Sequence, residues 1–259
     1  VAHNTIDGFS ADGIRGLGDD ALYEYNVIKN AYSGGAADTN HDDGFQSWSV
    51  GPGGVGTGEV RNVILRGNII ISNEDPNHPL ATALQGIGLF DGFFVNWTVE
   101  NNVIAVDHWH GISFYGARDS KIINNTVLDV NDQRPGPPWI RVGDHKNGSA
   151  SENVIVRNNL ATDFIVSGIN VSNDANIEFR QSDADDYFVA VPLDMHLLKT
   201  APAVDAGSAM QAPLIDLDGT PRPQGMAFDI GAYEWFEPAI FANGFEDQAA
   251  PLCPAPPCG

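Results

Sequence analysis

The chain has 259 residues, of which 42% are hydrophobic and 18% are charged, which excludes a disordered polypeptide and allows one sizeable folded domain. Its formal net charge of −21 argues against a nucleic-acid partner or an anionic membrane surface, because both require clustered Lys and Arg. No stretch approaches the roughly 18 apolar residues of a membrane span, so we expect no membrane insertion.

A short apolar segment that contains Asn recurs six times, starting at the first residue. Amides stacked on successive layers of a fold hydrogen-bond to one another, so the repeat predicts an asparagine ladder with a structural role. The copies are VAHNTI, YEYNVI, LRGNII, VENNVI, IINNTV and VRNNLA, and they align Asn4, Asn26, Asn68, Asn102, Asn125 and Asn159.

A second apolar segment follows each of these asparagines, usually with Gly before an apolar residue, and predicts a further short strand. Side chains alternate between the two faces of a strand, so one residue of each segment is expected to point inward. The segments are 12–17, 43–48, 85–90, 110–115, 138–143 and 167–172, and the inward column is Ile14, Phe45, Ile87, Ile112, Ile140 and Ile169.

Repetition of this kind predicts an all-β fold, a right-handed parallel β-helix of about six to seven coils over residues 1–192. Val1 to Ile6 already reads as the middle of a repeat, so we expect that coils or a leader precede it. We favour a monomer.

The repeat fades after about Asp174. Residues 193–235, with LLKTAPAVDAG, DLDGTPRP and FDIGAYE, are expected to form a C-terminal cap that covers the last coil. The tail, 236–259, ends in CPAPPC, which allows a small disulfide loop between Cys253 and Cys258 and fits an exported protein.

The same alignment predicts three outward columns on the second strands. Neighbouring coils lie about 4.8 Å apart, so these columns form one continuous strip. They are Asp12, Asp43, Gln85, His110, Pro138 and Ser167; then Arg15, Gln46, Gly88, Ser113, Arg141 and Asn170; and then Leu17, Trp48, Phe90, Tyr115, Gly143 and Ser172.

Aromatic faces suit sugar rings, and amides and guanidinium groups suit hydroxyls and carboxylates, so the strip predicts a carbohydrate-binding groove. An ordinary solvent-exposed face is the alternative. We expect sugar contacts from Asp12, Gln46, Trp48, Gln85, Phe90, Ser113, His41, His145 and Lys146.

Two polar segments of the strip carry candidate chemistry. NHDDGFQSW contains His41, Asp42 and Asp43, which suit cation binding or proton transfer, although a turn with a capped strand has the same composition. HWHGISFYG offers His110 as a general base and Tyr115 as an acid.

Arg15 and Arg141 are candidates for neutralising a substrate carboxylate, although a single arginine is more often a surface residue. A Ca²⁺ ion bound at Asp42 and Asp43 would also neutralise a substrate carboxylate. The sequence contains no motif for an organic cofactor.

These repeats, the terminal segment and the His, Tyr, Arg and Asp side chains of the strip resemble the pectate-lyase-like β-helix superfamily. Within it, secreted bacterial proteins related to alginate lyases and mannuronan C5-epimerases look nearest in style. The resemblance implies a secreted, periplasmic or cell-surface bacterial enzyme, most readily a lyase that cleaves a uronate-containing polysaccharide by β-elimination. The YG-x-DPH-like signature of the epimerases is absent.

Three other functions stay open at this point. Asp12 and Asp43 lie on adjacent coils, and carboxylates about 5 Å apart suit a retaining glycoside hydrolase. A C5-epimerase would use the same proton abstraction without elimination. A carbohydrate-binding solenoid would use the strip without chemistry.

Overall fold

The computed structural model describes residues 1–32, 41–131 and 134–237. This part of the chain is mostly β, and its one helix is a short 3₁₀ turn at Gln181–Asp186. None of the helical residues described forms a segment long and apolar enough to cross a membrane.

Four sheets contain the stacked strands, and in each sheet neighbouring strands are parallel and follow one another in chain order. Sheet I consists of Thr5–Phe9, Val27–Ala31, Ile69–Ile71, Val103–Val106, Thr126–Asp129, Leu160–Ala161 and Ile177–Glu178. Sheet II consists of Ile14–Arg15, Asp43–Trp48, Gln85–Asp91, His110–Tyr115, Trp139–Gly143 and Phe164–Val166.

Sheet III consists of Glu59–Arg61, Phe93–Val95 and Ala117–Arg118. Sheet IV consists of Leu22–Glu24, Ile64–Arg66, Thr98–Glu100, Lys121–Ile123, Ile155–Arg157 and Ser172–Asp174. Two small antiparallel pairs lie outside these sheets, Val50–Gly51 with Gly54–Val55 and Phe188–Ala190 with Asp194–Leu197.

The chain visits the sheets in the repeating order IV, I, II and, in the middle of the protein, III. We call one such circuit a passage. In three passages the corner between sheets IV and I is an Asn pair, and its first member has a positive φ of 54°, at Asn101, Asn124 and Asn158. Asn tolerates this left-handed conformation better than other side chains do, which explains its place at the corner.

The predicted asparagine ladder is confirmed. From Asn4 onward, Nδ2 of each member donates to Oδ1 of the next at 2.9–3.0 Å, and each backbone N–H donates to that same oxygen. The ladder continues one step beyond the prediction, to Asn176, which accepts from Asn159. This last copy was missed because its sequence, NDANIE, is more polar than the other copies of the repeat.

The inward column of sheet II is confirmed at its first five positions, where Ile14, Phe45, Ile87, Ile112 and Ile140 are paired in register and buried.

The sixth inward position is wrong. Ile169 is 61% exposed, and Phe164 pairs with Ile140 in its place. Only 17 residues separate Asn159 from Asn176, so the last strand of sheet II, Phe164–Val166, begins soon after the ladder residue and the short sheet I strand Leu160–Ala161. The outward assignments of that segment fail for the same reason. Asn170 lies at a corner with φ 54°, and Ser172 begins a strand of sheet IV.

The inner faces of all four sheets share one buried core. Ile104 of sheet I, Phe114 of sheet II, Phe94 of sheet III and Val99 of sheet IV are all fully buried in it. Trp97 is buried among them, and its Nε1 donates to the carbonyl of Val60 at 2.9 Å. Because the inner faces of all four sheets are buried in this core, only their outer faces are available for binding.

A second core lies between the outer face of sheet I and the C-terminal segment, which packs beside the sheet across several passages as well as near its last strand. Arg222 and Glu234 form a fully buried ion pair within the segment at 3.0 Å. The contributing side chains of sheet I are Ile71, Val103, Ala105, Leu128 and Leu160. Those of the segment include Met195, Leu197, Leu217, Ile230 and Tyr233, and Phe179 and Phe188 come from the residues that precede it.

Candidate functional site

The predicted strip lies on the outer face of sheet II. Its central row is confirmed, because the pairing aligns Arg15, Gln46, Gly88, Ser113 and Arg141.

The two flanking rows shift by one residue at irregularities in the strands. His110 pairs with Trp139 and not with Pro138, and Trp48 pairs with Asp91 and not with Phe90. Strict alternation along each strand cannot anticipate such shifts.

A groove of about 660 Å³ runs over this face, and a second hollow of about 380 Å³ adjoins it. Both are lined by Gln46, Phe90 and Asp91, so they form one continuous surface. The groove is further lined by His41, Gln85, His108, Trp109, His110, Tyr115 and Lys146, and the hollow by Ser47, Trp48 and Val55.

His110 is half-buried in the groove and its imidazole is held on two sides. Nδ1 lies 2.9 Å from Oγ of Ser113, which also accepts a 3.0 Å hydrogen bond from Nε1 of Trp139. Its ring packs edge-on against Phe90 at 4.8 Å and stacks on His108 at 5.2 Å. These contacts fix the orientation of the imidazole.

The pKa of His110 is lowered to about 4, mainly by burial and to a smaller extent by the nearby His108 and Arg141. The pKa of His108 is also lowered to about 4, first by burial and then by His41. Both imidazoles are therefore neutral near pH 7, the state in which a histidine accepts a proton.

Arg141 lies beside His110 on the neighbouring strand. Its guanidinium carbon is 5.2 Å from the centre of the Tyr115 ring and 5.5 Å from that of Trp139, and its buried Nε has no hydrogen-bond partner. Within the described residues Arg141 forms no ion pair with a carboxylate. A cation without a counter-ion beside a groove is suited to an anionic ligand.

Asp43 is completely buried beneath the groove. Burial, with help from the negative charge of Asp12, raises the pKa of Asp43 to about 8. Oδ2 accepts a hydrogen bond from Nε2 of Gln46, whereas Oδ1 has no partner. The space comes from Gly88 on the next strand, where a Cβ would lie 2.2 Å from that Oδ1. Asp43 is thus a protonated group covered by protein.

Asp12 and Arg15 neutralise each other. Nε of Arg15 donates to Oδ2 of Asp12 at 2.5 Å, and the Asp12 side chain is only 2% exposed. The Arg15 guanidinium lies over the Trp48 ring at 5.6 Å. The structure therefore leaves Arg15 less available than Arg141 for a substrate carboxylate.

Oδ1 of Asp42 accepts a hydrogen bond from the backbone N–H of Ala11 at 2.8 Å. Among the residues described, no group of three or more His, Cys, Asp or Glu side chains is arranged to hold a metal ion. Calcium at Asp42 and Asp43 stays a prediction.

His145 and Lys146 were both expected to contact sugars, but the structure places them in different environments. His145 is buried, its Nε2 lies 2.8 Å from the Gly56 carbonyl, and its ring stacks on Phe93 at 4.3 Å, so it fastens two loops together. Lys146 lines the groove and donates to Oδ1 of Asp91 at 2.6 Å.

Three further residues of the site were not predicted. His108 and Trp109 line the groove just before the strand of His110, and Trp139 donates to Ser113. The aromatic-rich HWH segment was the available signal for the first two. For Trp139 the signal was alternation itself, since the neighbour of the inward Ile140 faces outward, but the outward column had been assigned to Pro138.

Comparison with known proteins found no matching family model, no matching curated protein and no matching solved structure. Function is therefore inferred from the groove itself.

Proposed function

We propose that the stacked sheets form a right-handed parallel β-helix of the pectate-lyase-like type and that the protein is a secreted polysaccharide lyase acting on a uronate-containing polymer. One observation carries the proposal: His110 and Tyr115 line the sheet II groove, His110 is neutral near pH 7, and the Arg141 guanidinium carbon lies 5.2 Å from the centre of the Tyr115 ring with no carboxylate partner among the described residues.

In β-elimination, Arg141 would bind the uronate carboxylate and stabilise the negative charge that develops when the C5 proton leaves. His110 would take that proton at Nε2, with Nδ1–H donating to Ser113. The electron pair of the C5–H bond forms the C4–C5 double bond, and the C4–O bond breaks. Tyr115 would donate its proton to the departing oxygen.

The rest of the groove suits a sugar chain. Trp48 and Phe90 are half-buried aromatic rings on the outer face, and rings of this kind stack on sugars. Gln46 and Gln85 supply amide groups for hydroxyls.

The hydrolase alternative draws less support from the geometry. Asp12 is paired with Arg15 and Asp43 is covered by protein, whereas a retaining pair needs two carboxyl groups that reach the substrate.

The test is a product assay against a panel of polyuronates. Elimination yields an unsaturated product that absorbs in the near ultraviolet, hydrolysis yields reducing ends alone, and a binding protein yields neither. We expect His110→Ala and Tyr115→Phe each to lower turnover by about 10²-fold or more while the fold is retained. Full activity in both variants would contradict the assigned roles.

A further inference from the structure

The fixed charges on the groove side of sheet II cancel in pairs, with one exception. Arg15 is neutralised by Asp12 at 2.5 Å and Lys146 by Asp91 at 2.6 Å. Arg141 has no such partner among the described residues. Among the described residues, Arg141 is therefore the cation on this face without a counter-ion, and it lies beside the groove-lining Tyr115.

His110 and its stacked neighbour His108 add no positive charge near Arg141 at neutral pH. His108 and His110 are kept neutral by burial, which lowers the pKa of each to about 4. Gln46 and Gln85 are neutral amides.

The hollow that adjoins the groove combines apolar side chains with polar ones that are uncharged or ion-paired. Trp48, Val55 and Phe90 line the adjoining hollow, and Val55 is 64% exposed at its edge. Trp48 lies on the second strand of sheet II and Arg141 on the fifth. Three strand spacings, about 14 Å, separate these rows and leave room for about two or three sugar rings.

Among the described residues, no cation without a counter-ion lines the hollow. A substrate carboxylate held there would lose hydration without a compensating partner. The net charge of −21 adds a long-range repulsion against any dense polyanion. Each of these effects selects against a uronate at this position.

We propose that the groove takes a mixed polymer, with one free uronate at Arg141 and uncharged sugars stacked on the Trp48 side. This inference rests on the proposed function and narrows its substrate class. The uncharged sugar has two chemical sources, a neutral hexose or a uronate whose carboxyl is esterified.

The experiment compares three polymers of matched length: a continuous polyuronate, the same polymer with about half of its carboxyls methyl-esterified, and one in which uronate alternates with a neutral hexose. Initial rates are followed in the near ultraviolet, and binding is measured by calorimetry at low salt. We expect kcat/KM and affinity to be at least about tenfold higher for one or both mixed polymers, and their ranking identifies the source. Equal or better performance of the continuous polyuronate overturns the inference.

Matched variants test the position of the uncharged sugar. Trp48→Lys, or Val55→Lys should the first fold poorly, places a cation in the hollow and should shift the preference toward the polyuronate by about tenfold. Met226→Lys adds the same charge at a site that is 93% exposed in the C-terminal segment, and it should leave the preference unchanged. An unchanged preference in both hollow variants overturns the assignment.

The two proposals fail separately. If no polymer is cleaved but the mixed polymers bind better, the lyase function is wrong and the substrate class stands. If all three bind equally or none binds, the substrate class is wrong.

Discussion

Nε2 of Gln46 donates a 2.9 Å hydrogen bond to Oδ2 of Asp43, three residues earlier on the same strand. Gln46 lines the groove, whereas Asp43 is completely buried and its Oδ1 has no partner. The amide thus separates the groove surface from a carboxyl group whose pKa burial raises to about 8.

The buried carboxyl predicts a pH dependence of stability. The pKa of Asp43 is raised to about 8 in the fold, against about 3.9 for an unfolded chain. The folded state therefore binds the proton more tightly, and this contribution to the free energy of unfolding is complete below about pH 4 and is lost as the pH rises toward 8.

Asp43→Asn should remove that loss and flatten the dependence of Tm on pH between 5 and 8. Asp144→Asn, at an exposed carboxyl near the end of the groove strand, is the control and should behave as the parent. An Asp43→Asn profile that falls as steeply as the parent would show that the carboxyl is not protonated in the fold.

The lowered pKa of His110 predicts the pH below which kcat/KM should fall. Because the pKa of His110 is lowered to about 4, the base form should persist well below the usual histidine range. We expect the acidic limb of kcat/KM to fall near pH 4, and stability to decline as the pH drops from about 6.5 toward 4. A limb centred near pH 6.5 would contradict a buried, neutral His110.

The asparagine ladder predicts a large stability effect from a conservative change. Nδ2 of Asn125 donates to Asn159 and to the carbonyl of Val99, and its Oδ1 accepts from Asn102. Asn125→Ala should lower the free energy of unfolding by about 1–3 kcal/mol, because it leaves buried partners unsatisfied. Asn77→Ala, at an exposed loop position, is the matched control. Denaturant curves that coincide for the two variants would exclude a stabilising ladder.

The buried ion pair predicts the behaviour of the C-terminal segment. Arg222→Met leaves Glu234 buried without its cation and should cost about 3–5 kcal/mol. The segment should then become the first site of limited proteolysis. The double variant Arg222→Met with Glu234→Leu removes both charges and should recover part of the loss. A single variant as stable as the parent would mean that Glu234 finds another partner.

Periodic features of the sequence were predictable, and irregular ones were not. The ladder and the inward column of sheet II follow from identical residues at equivalent positions, so Asn102 and Ile112 were assigned correctly. Pro138 was aligned with His110 in error, because the register shift that pairs His110 with Trp139 cannot be read from the repeat. The burial of Asp43 depends on the missing side chain of Gly88 on another strand, a relationship that no local pattern contains.

The C-terminal segment also bears on how such a protein changes size during evolution. Asn101 donates to the Ile215 carbonyl, Asn124 to that of Asp229, and Asn158 to that of Ser208. These asparagines are corners of three successive passages, so the positions of three carbonyls in the segment match the spacing between those passages. Duplicating a passage among them would break these bonds, whereas duplicating one before Asn101 would spare them and lengthen sheet II by about 4.8 Å. The groove can therefore grow toward its Trp48 end and is fixed in length at its Arg141 end.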